Sequence, residues 1–407
     1  MPVPAAPSRM PPSTTINPAA NALGNLRNLL RVKVAGAVLC SCLGLSVSLV
    51  WALISVTMWG RCLAIGMTAT AMVPLIWREG RRRPRAQRRW QICSGALGLM
   101  AFTVVVGLIC ATPDGTTRPG SPVQQRFSSG QQFPRFSLAN LVPEIEQVNL
   151  GFHLMPLLDG MLTPARTRQI STLTLDLYRQ MERDPAFHAL GSAMGGAYAD
   201  VLGLSYPAGH YYLYVPRHAP ADPLPAIVFL HGSVGNFKVY TWVWSQLAEQ
   251  LGCVIIAPSF GFGNWDRPGG VEAVQAALAD ARKVVALDPA RIHLAGLSNG
   301  GLGVCRVADA LPSQFCGCIL LSPVMDARIT ASPEFHKKWA GRPMLVVTGV
   351  ADERVPVDYI RTTVESLRRG GVDIQVIAHP GEDHFLFFTQ RQIVLGEIAD
   401  WLRAHPR

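Results

Sequence analysis

The sequence predicts an α/β protein, a mostly parallel sheet with helices on both faces, preceded by an N-terminal helical membrane region. Three observations carry this. Of 407 residues, 49% are hydrophobic and only 16% charged, against roughly 25% charged in soluble proteins, so part of the chain suits lipid. The net charge of +10 is unevenly spread. Up to Thr112 there are 12 Lys/Arg and one acid (Glu79), net +11; beyond it there are 25 Lys/Arg and 26 acids, net −1. From Gly209 onward, short β-rich runs alternate with longer helical ones, the order of a doubly wound domain.

Residues 1–33 read as a disordered cytoplasmic tail, rich in Pro, Ala, Ser and Asn through residue 26. The apolar stretch that follows starts too late and runs too long for a signal peptide. Residues 34–112 form the membrane region. Val34–Trp77 is nearly all apolar, broken only by Arg61. It suits two spans of about 20 residues joined by a turn near Thr57–Arg61. Gln91–Ala111 supplies a third, so transmembrane helices are predicted over 35–56, 59–77 and 91–111. Arg27, Arg31 and Lys33 precede the first span, and seven arginines between Arg78 and Arg89 separate the second from the third. Positive flanks stay in the cytoplasm. The third span then carries everything after Thr112 out, giving an integral multi-pass protein with an extracytoplasmic globular part and the bilayer as partner. The alternative reads Val34–Trp77 as one long tilted span plus an interfacial helix, which leaves the globular part inside. The positive charge is thus a topology signal. The globular part has no basic stripe with interleaved aromatics, so no nucleic-acid partner is expected.

Residues 113–137 read as a Pro/Gly/Ser/Gln linker. Residues 138–204 read as a helical extension, with breaks at Pro143, Pro156, Pro164 and Pro185 and no functional motif. Residues 205–407 are the α/β domain. Strands are predicted over 210–216, 226–232, 253–260, 291–298, 316–324, 344–350 and 374–380. Helices are predicted at about 237–251, 270–287, 299–311, 356–370 and 390–403. Unbroken Val/Ile/Leu runs between helices mean strands buried on both faces. The domain's four cysteines, Cys253, Cys305, Cys316 and Cys318, fall in these elements. They read as small buried residues, or, in an oxidising compartment, as a source of a Cys305–Cys316 disulfide. No metal-ligand spacing is present.

The chemistry centres on Gly296-Leu297-Ser298-Asn299-Gly300. This G-x-S-x-G run lies between IHLAG, read as a strand, and GLGVCRVADAL, read as a helix. That is the strand–turn–helix that exposes a serine hydroxyl, with glycines letting the turn close. A serine needs a base, and the base needs an orienting acid. Asp352 follows strand MLVVTGV and is the candidate acid; Glu353 beside it would point elsewhere, and Asp326, after the preceding strand, is the competitor. His384, in HPGEDHF after the last strand, is the candidate base, with His379 too far back. A tetrahedral oxyanion needs two N–H donors. These are assigned to the backbone of Asn299, which opens the helix, and of Ser233 in LHGS; His231 in that loop is read as bracing the turn. Phe237, Trp265 and Phe385 are candidates for an acyl or alcohol pocket.

HGSVGN, DPARIHLAGLSNGG, GVADERVP and GEDHF resemble the α/β-hydrolase superfamily, and within it esterases of the dienelactone-hydrolase, esterase D and polyhydroxyalkanoate-depolymerase-like group. The resemblance covers about residues 205–405. It implies an eight-stranded sheet, a Ser–Asp–His triad, and acyl-enzyme chemistry without metal or cofactor. Many relatives have Gly before the base, where this chain has Asp383. The reading is a membrane-anchored serine hydrolase acting on a small-molecule or lipid-like carboxylic ester. Two alternatives stand: a serine peptidase of prolyl-oligopeptidase type, and an inactive hydrolase-fold binding module.

Overall fold

The computed structural model describes residues 18–83, 85, 87–115, 120–218 and 223–406. The first part of the expected disordered tail, residues 1–17, lies outside them. Two compact units result: residues 18–53 with 61–106, and residues 54–60 with 107–406.

The first unit holds the bodies of three helices, α1 (Pro18–Ile54), α2 (Met58–Arg82) and α3 (Gln87–Ala111). Each has a stretch long and apolar enough to cross a membrane, Val32–Ile54, Met58–Arg82 and Gln87–Ala111. The break falls at Ser55–Thr57, slightly before the expected turn. α1 also begins at Pro18, so residues 18–33 are helical rather than disordered; Ala and Leu there are helix formers that extend the span. Small residues let these helices approach. A Cβ on Gly44 would lie 3.2 Å from Ala71 Cβ, and one on Gly66 3.0 Å from Val104, the small-residue packing usual between apolar helices. Thr68 Oγ1 also donates to Ser48 Oγ at 2.9 Å.

The second unit is built on one sheet of eight strands: β1 (Val123–Phe127), β2 (His210–Tyr214), β3 (Leu224–Leu230), β4 (Val254–Pro258), β5 (Leu287–Leu297), β6 (Gly317–Leu321), β7 (Pro343–Gly349) and β8 (Asp373–His379). Their order is β1-β2-β4-β3-β5-β6-β7-β8. Only β1–β2 and β2–β4 pair antiparallel. Residues alternate between two buried faces: Ile227 and Phe229 belong to one core, Val228 and Leu230 to the other. The seven strands read from the sequence are all present. The eighth, β1, lies inside the expected linker. Its VQQRF run is too polar to show as a buried strand, and it sits at the sheet edge, where Tyr211 Oη and Asp280 engage Arg126 Nε. β5 also begins four residues early, taking the end of the expected preceding helix.

Helices α9 (Lys238–Leu251), α10 (Gly270–Ala281), α11 (Gly300–Ala310), α14 (Val357–Arg369) and α16 (Arg391–Ala404) match the expected crossovers. The extension supplies α4 (Leu138–Leu141), α5 (Glu144–Leu158), α6 (Pro164–Met181), α7 (Pro185–His188) and α8 (Met194–Leu202). Three short helices, α12 (Ala327–Thr330), α13 (Pro333–Trp339) and α15 (Leu386–Thr389), fill loops. Glu144 joins the extension to the sheet domain. Its buried carboxylate accepts from Tyr178 Oη at 2.7 Å, Ser192 Oγ at 2.8 Å and the Lys238 N–H at 2.7 Å. It thereby satisfies the open N-terminus of α9, whose N-cap Phe237 has no side chain to offer. Burial pushes its pKa up. All nine cysteines are free, so Cys305 and Cys316 form no disulfide; Cys253, Cys305 and Cys318 are buried, the packing role the sequence allowed.

Candidate active site

Ser298 follows the last residue of β5 and holds φ 52°, a left-handed backbone that a side-chain-bearing residue adopts only under constraint. Glycines supply the constraint. A Cβ on Gly296 would lie 2.5 Å from Gly300 O, and one on Gly300 would collide with Leu230 O. Either alanine would push the elbow apart. The Ser298 N–H donates to Leu321 O at 2.9 Å, and the Val324 N–H donates to Ser298 O at 3.0 Å, so β6 clamps the turn.

His384 reaches the elbow from the loop after β8. Its Nε2 lies 2.9 Å from Ser298 Oγ, and its Nδ1 lies 2.8 Å from Asp352 Oδ2. An ionised carboxylate only accepts, so Nδ1 carries the proton toward Asp352 and Nε2 is left to accept from the serine. The second oxygen of the buried Asp352 accepts from the Arg354 and Val355 N–H groups, each at 2.9 Å, which fixes the carboxylate. The three chosen side chains therefore meet as one hydrogen-bonded chain. The competitors are engaged elsewhere. Asp326 caps α12, accepting from the Arg328 and Ile329 N–H groups. His379 pairs with Glu397 at 3.0 Å. Glu353 is exposed.

The β3 loop packs on the elbow: a Cβ on Gly232 would lie 3.1 Å from Leu297 O and 3.4 Å from Ser298 Cβ. The loop carrying Ser233 thus lies against the turn that carries Ser298 and Asn299. Among the described residues, neither the Ser233 nor the Asn299 N–H is seen to donate to a backbone carbonyl. His231 is structural. Its Nδ1 meets Gly232 O at 2.7 Å and its Nε2 accepts the Phe260 N–H at 3.1 Å. Burial pushes its pKa down to about 4, which keeps that acceptor neutral.

A cavity of about 370 Å³ is lined by Ser233, Phe237 and Phe385, on the loops around the elbow, together with residues of α5, α6, α8 and α9. Trp265, the third aromatic expected there, does not line it. It is buried in the core, its ring against Gly303 and its indole N–H donating to His231 O at 2.8 Å. The indole braces the oxyanion loop from behind.

The extension also grips both loops of the relay. Arg166 of α6 makes a two-pronged ion pair with Asp383, Nε and Nη2 each 2.7 Å from a carboxylate oxygen. Arg354, two residues after Asp352, pairs with Asp159 at the end of α5. Burial pushes Asp383 up, but the Arg166 guanidinium outweighs it and holds the carboxyl below its usual range. Asp159 is lowered likewise by Arg354 against the opposing effect of burial. Asp383, the departure from the Gly of many relatives, thus has a partner that sequence spacing could not show. Among the described residues, no group of three or more His, Cys, Asp or Glu is placed to hold a metal.

The prolyl oligopeptidase family matches residues 330–406, the stretch carrying Asp352 and His384. No curated protein matches the chain. Solved structures that it resembles include a thermostable esterase at 21% identity, covering 42% of this chain and half of that one, with a TM-score of 0.36. Others are a thermophilic esterase from Thermogutta terrifontis with butyrate bound (19%, 48% and 88%, TM-score 0.40) and Est1E from Butyrivibrio proteoclasticus (17%, 48% and 93%, TM-score 0.40). Sheet order and elbow are those of the α/β-hydrolase fold, and the family match over residues 330–406 agrees with it. Ser298 aligned on His384 is the arrangement that serine hydrolase chemistry requires.

Proposed function

We propose that this protein is a membrane-anchored serine hydrolase that cleaves a carboxylic ester through an acyl-enzyme. The observation that carries it is the continuous Ser298–His384–Asp352 chain of hydrogen bonds. Ser298 Oγ attacks the ester carbonyl while His384 Nε2 takes its proton; Asp352 orients the imidazole and stabilises the imidazolium. The oxyanion is held by the Ser233 and Asn299 N–H groups, a contribution of about 3 kcal/mol per donor. His384 then protonates the leaving alcohol, and water, deprotonated by the same imidazole, releases the acid. No step calls for a metal or cofactor.

The three apolar helices support anchoring in a bilayer. Orientation follows from charge: Arg78–Arg89 stay in the cytoplasm, and the hydrolase unit, entered after the third span, works on the other side. Residues 54–60, between the first two spans, belong to the hydrolase unit, which supports placing that loop and the catalytic unit on one side of the bilayer. A C-terminal reporter active only outside the cytoplasm agrees with this; one active only inside overturns it.

A peptidase is the second reading, favoured by the match to the prolyl oligopeptidase family. A panel of p-nitrophenyl esters and peptide amides decides. Ester kcat/KM should exceed amide kcat/KM by orders of magnitude. Fast amide cleavage with negligible ester turnover would replace the proposal with the second reading.

A further inference from the structure

The cavity lined by Ser233, Phe237 and Phe385 is the least explained feature of the unit. Its volume of about 370 Å³ falls in the range of small-molecule sites, and its walls are almost wholly apolar. Its lining reaches the catalytic loops, since it includes Ser233, in the loop packed on the elbow, and Phe385, next in sequence to His384. The extension supplies much of the rest, including Gly151, Leu154 and Met155 of α5, Thr174 of α6 and Tyr198 of α8, alongside Val239 and Tyr240 of α9. Tyr198 Oη donates to Gln147 Oε1 at 2.6 Å and closes α8 onto α5. A small acyl group would leave most of this space empty, whereas a hydrocarbon chain would fill it.

α5 also shows where such a chain comes from. One side of α5 is tied to the loop between the first two spans. Asn149 Nδ2 donates to Ile54 O at 2.7 Å. The Val56 and Thr57 N–H groups donate to Glu146 Oε1 at 3.1 and 2.7 Å. Ile54 is the last residue of the first candidate span and Met58 the first of the second. α5 is therefore held where the chain leaves and re-enters the bilayer. Its last turns, before the capping Asp159, expose apolar side chains: Leu154 is 43% exposed, Leu157 82% and Leu158 80%. Leu154 is both a wall of the cavity and part of this surface. Exposed apolar area of this kind marks a lipid or partner contact, and the three candidate spans carried by the same chain favour lipid.

We propose that the cavity beneath α5, α6 and α8 binds the hydrocarbon chain of a long-chain ester residing in the bilayer, which enters past Leu154. The proposal rests on the ester-hydrolase reading above and names its substrate class. The reaction is unchanged: the acyl carbon bonds to Ser298 Oγ, the alcohol leaves with the proton from His384, and water regenerates the enzyme.

The test uses the full chain in phosphatidylcholine vesicles, with p-nitrophenyl acetate and p-nitrophenyl octanoate as probes. Wild type should favour octanoate in kcat/KM by about tenfold or more, as burial of each added methylene predicts. Gly151 lines the cavity and has no atom within 4 Å of a built Cβ, so Gly151→Trp can be accommodated there and should cut the octanoate-to-acetate ratio about tenfold or more. Partitioning into vesicles affects both proteins alike and cancels. Leu154→Arg, at an exposed position, should lower the same ratio and serves if Gly151→Trp does not fold. A ratio unmoved in both folded variants overturns the proposal. Turnover of neither ester by wild type that still reacts at Ser298 with a fluorophosphonate overturns the ester reading instead.

Discussion

The crevice has a floor and a roof, and they are held by different forces. The floor is the row of strand ends from β3 to β8. Backbone hydrogen bonds, glycine contacts too close for any Cβ, and buried Trp265 fix it. The roof is α5 and α6. Ile145, Leu175, Tyr178 and Met181 pack it into the core, but its ties to the loops below are polar: one buried carboxylate, Glu144, and two ion pairs, Arg166–Asp383 and Arg354–Asp159. Preorganisation at the floor suits bond making, where a 1 Å error is costly. A roof tied to those loops by a few polar contacts suits selection and entry of substrate. Changes to the floor should therefore abolish turnover, and changes to the roof should tune it.

The largest effect is expected at the elbow. Ser298→Ala should lower kcat by about 10⁴-fold or more with an unchanged melting temperature; appreciable residual turnover would place the nucleophile elsewhere. Asp352→Asn should cost about 10³- to 10⁴-fold by favouring the wrong imidazole tautomer, while Asp326→Asn, which only loosens α12, should leave turnover within a few-fold. Reversed results would exchange the two acids.

Breaking the roof should first show in stability. Glu144→Ala strands the Tyr178, Ser192 and Lys238 donors and should cost about 3 kcal/mol in denaturant unfolding. Arg166→Ala should cost about tenfold in kcat/KM by freeing the loop before His384. A positioning role predicts that Arg166→Lys recovers part of this loss, and that the pH profile of kcat/KM moves with the variant. A melting temperature that falls while the pH profile stays fixed would reduce Arg166 to packing.

The smallest effect belongs to the floor's neutral imidazole. His231 is held down to about 4 by burial, against about 6.5 unfolded. Between these values only the unfolded chain binds the proton, so stability is complete above about pH 6.5 and is lost as pH falls toward 4, by up to about 1.4 kcal/mol per unit. His210 and His293, pushed by burial to about 3 and about 4, act in the same direction. Chemical denaturation at pH 7 and pH 5 reads the sum.

The floor was legible in the sequence because each of its parts has a local signature. Gly296 and Gly300 frame Ser298, and Asp352 and His384 each end an apolar run. Asp352 could be preferred over Asp326 from strand position alone. The roof left no such trace. Arg166 and Asp383 are 217 residues apart, and an arginine on an amphipathic helix reads as solvent-facing until its partner is known. β1 hid for a related reason: edge strands need no apolar run, so VQQRF passed as linker. Trp265 misled because an aromatic after a strand end can face the crevice or support it, and here the indole N–H found His231 O.

The central claim, that Ser298 is an activated nucleophile, is tested most directly by treating the folded full chain with a fluorophosphonate and mapping the adduct by peptide mass. The account predicts a single covalent adduct on Ser298, lost in Ser298→Ala and strongly slowed in His384→Ala. Folded protein that forms no adduct at Ser298, or forms one equally fast without His384, would contradict it.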